Sequence, residues 1–128
     1  MFVHASVRTS NLEKSIAFYT RHLGLKLQSR REIKATNAEI AFLQDPEGKG
    51  CTLELTFYRS QKQFIQSPYE ERLFDHLGFV VEDINATISA MRRENVTVTD
   101  EPFKLSPTTT IAFIEDPDGT LIELIEYK

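Results

Sequence analysis

Ile114-Glu115-Asp116-Pro117-Asp118-Gly119-Thr120-Leu121-Ile122-Glu123-Leu124-Ile125-Glu126 decides the fold of this chain. Asp116-Pro117-Asp118-Gly119 is a turn with a mechanism, because proline presets φ and glycine supplies a backbone conformation that other residues avoid. The apolar runs on both sides read as strands, which makes the stretch a hairpin. Glu123 stands in the middle of the second strand, between Ile122 and Leu124, where a carboxylate is costly unless it is paired or bound to a metal. The arrangement recurs earlier: Asp45-Pro46-Glu47-Gly48 lies 71 residues before the second turn and is followed by Leu53-Glu54-Leu55.

Working outward from the two turns, each half of the chain reads β-α-β-β-β. The first half opens on Phe2 to Arg8, with Val3, Ala5 and Val7 on one face and His4, Ser6 and Arg8 on the other. Ser10-Asn11-Leu12-Glu13 has the form of a capping box, and a helix follows with Leu12, Ile16, Tyr19 and Leu23 at helical spacing. Gly24 is a stop signal. Strands are predicted at Leu25 to Ile33, Glu39 to Leu43 and Thr52 to Tyr58, the last with Leu53, Leu55 and Phe57 opposite Thr52, Glu54, Thr56 and Tyr58. Residues 59–72 are polar and contain Pro68, and read as a linker with a short helix. The order then repeats: a strand from Phe74 to Val81, a helix capped by Asp83 with Ile84, Ile88 and Met91 on one face and Asn95 at its end, and strands at Val96 to Thr99, Thr109 to Glu115 and Leu121 to Tyr127. His76 follows His4 by 72 residues. Two related copies of one unit imply internal duplication. The expected organisation is a single domain over 1–128, with a first module at about 1–60, a linker at about 61–72 and a second module at about 73–128.

Composition narrows the function. The chain has 128 residues, 41% of them apolar and 27% charged, as in an ordinary globular domain. A net charge of −4 gives no footprint for nucleic acid and no attraction to an anionic membrane surface. Cys51 is the only cysteine, so an intrachain disulfide is impossible. With no signal peptide and no apolar run long enough to span a bilayer, a cytoplasmic location is the expectation. Cys51 has no sign of activation and reads as a small packing residue. His22 closes the first helix, where a cation suits the dipole, and has no counterpart in the second half. Phe18, Tyr19 and Phe113 read as core. Neither a glycine-rich phosphate loop nor a Gly-x-Ser-x-Gly elbow occurs.

What remains is His4, Glu54, His76 and Glu123, one histidine on the first strand and one glutamate on the last strand of each half, all four read as mid-strand. A single strand histidine or glutamate is usually packed or solvent-facing. Matched placement of both residue types across a repeat is a stronger signal. Where first and last strands lie close together, the side chains meet over one surface. Two imidazoles and two carboxylates suit a divalent first-row metal, and they suit a catalytic octahedral ion with open positions better than a closed structural zinc site.

At this point the pattern resembles the vicinal-oxygen-chelate superfamily, and within it the glyoxalase I branch. The resemblance is carried by His4 to Arg8, Leu12-Glu13-Lys14-Ser15-Ile16-Ala17-Phe18-Tyr19 with Leu23-Gly24-Leu25, Leu53-Glu54-Leu55-Thr56, His76-Leu77-Gly78-Phe79, and Ile111 through Glu123, nearly the whole chain. It implies an α+β fold of two tandem βαβββ modules forming a curved mixed sheet around a cleft. It also implies a homodimer whose sites lie at the subunit interface, His4 and Glu54 of one chain joining His76 and Glu123 of the other on a divalent metal. Nickel or cobalt is favoured by that analogy, with zinc, manganese and iron as alternatives. The implied reaction is isomerisation of a 2-oxoaldehyde–thiol hemithioacetal, methylglyoxal with glutathione or another thiol, to the 2-hydroxyacyl thioester through a metal-stabilised enediolate. Glu123 is then the base and Glu54 its counterpart for the other substrate face.

By the same resemblance Arg8 and Arg72 match substrate-binding arginines. Three departures all touch the thiol: Tyr58 stands where asparagine is expected, Lys104-Leu105-Ser106-Pro107 replaces an expected lysine and glycines, and Asp75 precedes His76 in place of glycine. Other readings of the same fold are an epimerase, a thiol transferase for fosfomycin-type epoxides, a dioxygenase, and a metal-free protein that sequesters a drug. Epimerases commonly have glutamine at the second ligand position, the transferases and dioxygenases use three protein ligands, and the drug-binding proteins generally lack the ligands, so the full set favours the isomerase.

Overall fold

Both Asp-Pro turns are tied by local bonds to their first aspartate, two to the Asp116 side chain and one to that of Asp45. In the computed structural model, which describes every residue except Lys62, the Asp116 Oδ1 accepts from the amides of Asp118 and Thr120, each at 2.9 Å. The Gly119 N–H reaches the Asp116 carbonyl at 3.0 Å, with Gly119 at φ +89°. Asp45 accepts from the Glu47 amide at 2.8 Å, and Gly48 sits at φ +74°. Glycine is needed at both because L side chains rarely adopt that conformation. The chain divides into two compact units, Met1–Ile65 and Gln66–Lys128, described in turn.

The first unit comprises β1 (His4–Arg8), α1 (Leu12–Arg21), β2 (Lys26–Ile33), β3 (Ala38–Gln44) and β4 (Thr52–Tyr58). The strand order is β1-β4-β3-β2, with β1 parallel to β4 and the other pairs antiparallel. The crossover from β1 through the helix is what places the first strand beside the last. One sheet face carries Val7, Ala41, Leu43, Leu53 and Leu55, all buried, together with Leu12, Phe18 and Tyr19 from α1. Each large side chain so buried contributes about 2 kcal/mol. The helix is capped by Asn11, whose side chain accepts from the Lys14 amide at 3.1 Å, and not by the Ser10 capping box. Glu13, which the box would turn back on Ser10, instead pairs with Arg30 at 2.5 Å. On the helix face Ser15 takes a buried place beside Thr9 (Oγ to Oγ1, 2.5 Å), while Ile16 is only partly covered. Cys51 is exposed in the loop before β4, so it packs nothing. The loop after Gly48 runs through a second left-handed glycine, Gly50, and carries Cys51 off the sheet.

The second unit repeats the plan with β5 (Leu77–Val80), α2 (Ile84–Arg93), β6 (Val98–Ser106), β7 (Thr109–Glu115) and β8 (Leu121–Tyr127), in the order β5-β8-β7-β6 with β5 parallel to β8. Ile84, Ile88 and Met91 pack from α2 with Ile114, Ile122 and Leu124 of the sheet. β5 is shorter than the alternation suggests. Its partner β8 begins at Leu121, just past the Gly119 turn, and Leu77 already pairs with Ile122, which leaves Phe74 and Asp75 without a strand to pair with. His76 therefore precedes β5, and His4 is the first residue of β1, so neither histidine is mid-strand. β6 runs much further than Thr99, across Pro102. The missing N–H is tolerated because β6 is an edge strand with register shifts on either side of the proline.

The N-terminus of α2 has two carboxylates. Asp83 accepts from the Ala86 amide at 2.9 Å, and the buried Glu126 of β8 accepts from the Ile84 amide at 2.9 Å. Asp83→Ala is expected to lower stability by about 1 kcal/mol in denaturant unfolding, the usual value of such a cap, with the Glu126 bond limiting the loss.

Candidate functional site

Parallel pairing of first and last strands sets the histidine and glutamate of each unit on one face. In the first unit His4 pairs with Thr52 and Ser6 with Glu54. In the second Gly78 pairs with Glu123, and His76 lies two residues before Gly78. Both histidines are thus one pleat away from their glutamates, on the side opposite the helix. The next strand repeats the likeness. Phe42 pairs with Glu54, and Phe113 with Glu123. Each phenylalanine meets its histidine edge-on at a ring separation of 5.7 Å, His4 with Phe42 and His76 with Phe113. Phe113 is accordingly half-buried beside His76 and is not a core residue, whereas Phe18 and Tyr19 are.

The two carboxylates differ in their partners. Glu54 accepts from Thr56 Oγ1 at 3.1 Å, and Thr56 Oγ1 lies 2.8 Å from Ser6 Oγ. A carboxylate only accepts, so Thr56 donates its single proton to Glu54 and Ser6 donates to Thr56. The corresponding residues in the second unit are Ile125 and Gly78, which donate nothing from a side chain. Glu123 Oε2 instead lies 3.0 Å from His76 Nε2, and His76 Nδ1 lies 2.6 Å from Asp75 Oδ1. The Glu123 side chain is 16% exposed and that of His76 32%, within reach of a ligand yet sheltered. A Cβ on Gly78 would make only ordinary contacts, 3.6 Å from Ile125 Cδ1 and 3.9 Å from Glu123 Oε2, so the carboxylate has room on that side.

These donors fit a divalent cation. Nδ1 is held by the Asp75 carboxylate, the usual second partner of a ligating histidine, and Nε2 faces Glu123 Oε2 across 3.0 Å, a spacing at which both atoms could reach one cation. Within neither unit do the described residues gather three His, Cys, Asp or Glu side chains into a metal-binding group.

Beside Glu54 the first unit has a cleft of about 430 Å³ lined by Arg8, Arg31, Ile33, Ile40, Thr56 and Tyr58 among others. Arg8 stacks on Tyr58, 4.5 Å from the ring centroid, and donates to Gln61. Arg72 has other work. It donates to the carbonyls of Ser67 (2.8 Å) and Gly119 (2.9 Å) and stacks on Tyr69 at 4.3 Å. Tyr69 in turn donates to Glu115. Desolvation first, and that bond second, push the Tyr69 pKa up to about 12, so it stays a donor at ordinary pH. Gln66 completes the clamp on the second turn, donating to the Asp118 carbonyl at 2.8 Å. Sequence reasoning passed over Arg31 and Glu126. The strand alternation places Arg31 on the cleft face, but only the sheet order reveals what stands across from it.

A family model described as Glyoxalase/Bleomycin resistance protein/Dioxygenase superfamily matches residues 1–124. The chain is 36% identical to a probable lactoylglutathione lyase of Vibrio parahaemolyticus, over 98% of this chain and 90% of that protein. It is 34% identical to the lactoylglutathione lyase of Salmonella typhimurium, over 98% and 92%. Among solved structures, the trypanothione-dependent glyoxalase I of Leishmania major superposes with a TM-score of 0.83 at 29% identity, covering 98% of this chain and 86% of that one. No helix among the described residues is long and apolar enough to cross a membrane.

Proposed function

Because the chain belongs to the Glyoxalase/Bleomycin resistance protein/Dioxygenase superfamily, we propose that it is a divalent-metal-dependent, glyoxalase I-like isomerase. Its substrate in this reading is the hemithioacetal of a 2-oxoaldehyde, methylglyoxal with glutathione or another thiol, and its product the 2-hydroxyacyl thioester. Relatives at 34–36% identity that carry the name lactoylglutathione lyase support an enzyme of this lyase or isomerase type. The observation that carries the finer reading is the duplicated His–Phe–Glu constellation, alike in register and ring geometry in both units.

His4, Glu54, His76 and Glu123 would hold the cation, nickel or cobalt by preference, with the two pairs brought together in a homodimer. When bound, the ion supplies positive charge to the substrate oxygens while negative charge develops there. The side chains divide the remaining work. Glu123 takes the carbon-bound proton and returns it to the adjacent carbon. No hydroxyl donates to it, whereas one oxygen of Glu54 is already taken up by the Thr56 hydroxyl. Glu54 serves the opposite substrate face. Asp75 orients His76, and Arg8, steadied by Tyr58, receives an anionic part of the thiol.

The test is to strip the protein of metal and assay methylglyoxal with several low-molecular-weight thiols after adding nickel, cobalt, zinc, manganese or iron. Activity is expected to fall to background in the stripped protein and to return with at least one ion. Full activity without metal would overturn the reading. Silence with every ion would turn attention to the epimerase, epoxide thiol transferase, dioxygenase and drug-binding alternatives.

A further inference from the structure

One row of residues crosses the whole sheet of the first unit. Arg8 on β1 pairs with Thr56 on β4, Thr56 with Ile40 on β3, and Ile40 with Arg31 on β2. All four line the same cleft. Three strand spacings separate the ends, so the two arginine backbones stand about 14 Å apart and their side chains rise from opposite rims of one concave face. The row lies one pleat from the row of Ser6, Glu54 and Phe42, and so beside the carboxylate assigned to the reaction.

The charges on β2 are sorted by face. Arg30 points to the helix side and is neutralised by Glu13 and Glu39. Glu32 is held by Arg59 at 2.7 Å. Arg31 has no carboxylate or carbonyl partner among the described residues, although it lines the cleft. The duplicated unit is an internal control. Its equivalent row is Val80, Ile125, Ile111 and Phe103, without a charge, so the fold does not require arginine at either end. The first unit thus has a cation at both rims of this row, and its copy has one at neither.

We propose that Arg31 is a second anion-binding residue, acting across the sheet from Arg8. The cleft of the first unit would then select a thiol carrier with at least two negative charges remote from its sulfur. This deepens the isomerase reading and rests on it for the identity of the ligand as a thiol. Arg31 is a specificity residue, and no proton or bond change depends on it.

Binding by the metal-free protein separates this inference from the reaction itself. Calorimetry at low salt would compare S-methylglutathione, which has two carboxylates, with S-methylcysteinylglycine, which has one. Wild type is expected to bind the first at least tenfold more tightly. Arg31→Gln should erase that preference and leave the one-carboxylate ligand unaffected, and Arg31→Lys should restore part of it. In a metal-loaded assay Arg31→Gln should raise KM with kcat unchanged. Arg31 is exposed and spans no contact of the core, so the variants should fold. Equal binding of the two ligands by wild type, or an undiminished preference in Arg31→Gln, would overturn the inference. An Arg31-dependent preference in a protein with no isomerase activity would uphold it while rejecting the isomerase.

Discussion

Glu123→Gln is expected to lower kcat about 10³-fold in the metal-loaded protein, the range that general-base catalysis supplies. Glutamine keeps the size of the side chain and one coordinating oxygen, but an amide oxygen is too weakly basic to take a proton from carbon. Glu123 lies on the sheet face away from the helix, at 16% exposure, and its strand neighbours Ile122 and Leu124 carry the packing. The unfolding midpoint should therefore stay close to wild type. Glu54→Gln removes an oxygen that accepts from Thr56, and its effect should be smaller with a substrate that presents its proton to Glu123. Steady-state assays on both variants, with thermal melts and light scattering as controls, check the pair. More than a tenth of wild-type turnover in Glu123→Gln would remove Glu123 from the role of base.

Asp116→Ala should cost about 3 kcal/mol of stability. Asp116 is 6% exposed, and one carboxylate oxygen accepts from two backbone amides, so the substitution leaves two partly buried donors without their partner. Bonds to charged groups of this kind are each worth about 1.5–3 kcal/mol, and an unpaired buried donor adds a desolvation penalty. The loss corresponds to a fall of roughly 10 °C in the melting midpoint for a chain of this size. Asp45→Ala, at the equivalent turn, removes one bond from the Glu47 amide at a more open site and should cost about 1 kcal/mol. Comparable losses in the two variants, read from denaturant titrations, would mean that burial is not what separates the turns.

Much of the fold was legible because its signals are local. Val3, Ala5 and Val7 alternate with His4, Ser6 and Arg8, and β1 buries Val7 while exposing His4 and Arg8. Asp83 caps α2 as read, because a short polar side chain before an amphipathic run has one nearby amide to satisfy. The first helix was misread at its cap by one residue, since the competing bond, Glu13 to Arg30, joins positions 17 apart. The extent of β6 was missed because Pro102 is a break in a central strand and admissible in an edge strand, and edge position is not written in the local pattern.

The candidate site divides in the same way. His4, Glu54, His76 and Glu123 stood out from the duplication, and the family from the resemblance of motifs spread along nearly the whole chain. The alternation of β8 puts Glu123 and Glu126 on opposite faces, but only tertiary structure turns Glu126 to the amide of Ile84 and Glu123 to the imidazole of His76. Arg72 matched a ligand-binding position by resemblance, yet its guanidinium holds the Gly119 carbonyl and the Tyr69 ring. Arg31 became visible once β2, β3, β4 and β1 were seen side by side. By itself the sequence determined the turns, most caps, the strand faces and the two-fold repetition, because dihedral preference and a period of two act between residues close in the chain. Which strands lie beside one another, and so which side chains share a row, was decided by hydrogen bonds between residues up to about fifty positions apart, and pleat periodicity names a face without naming a neighbour.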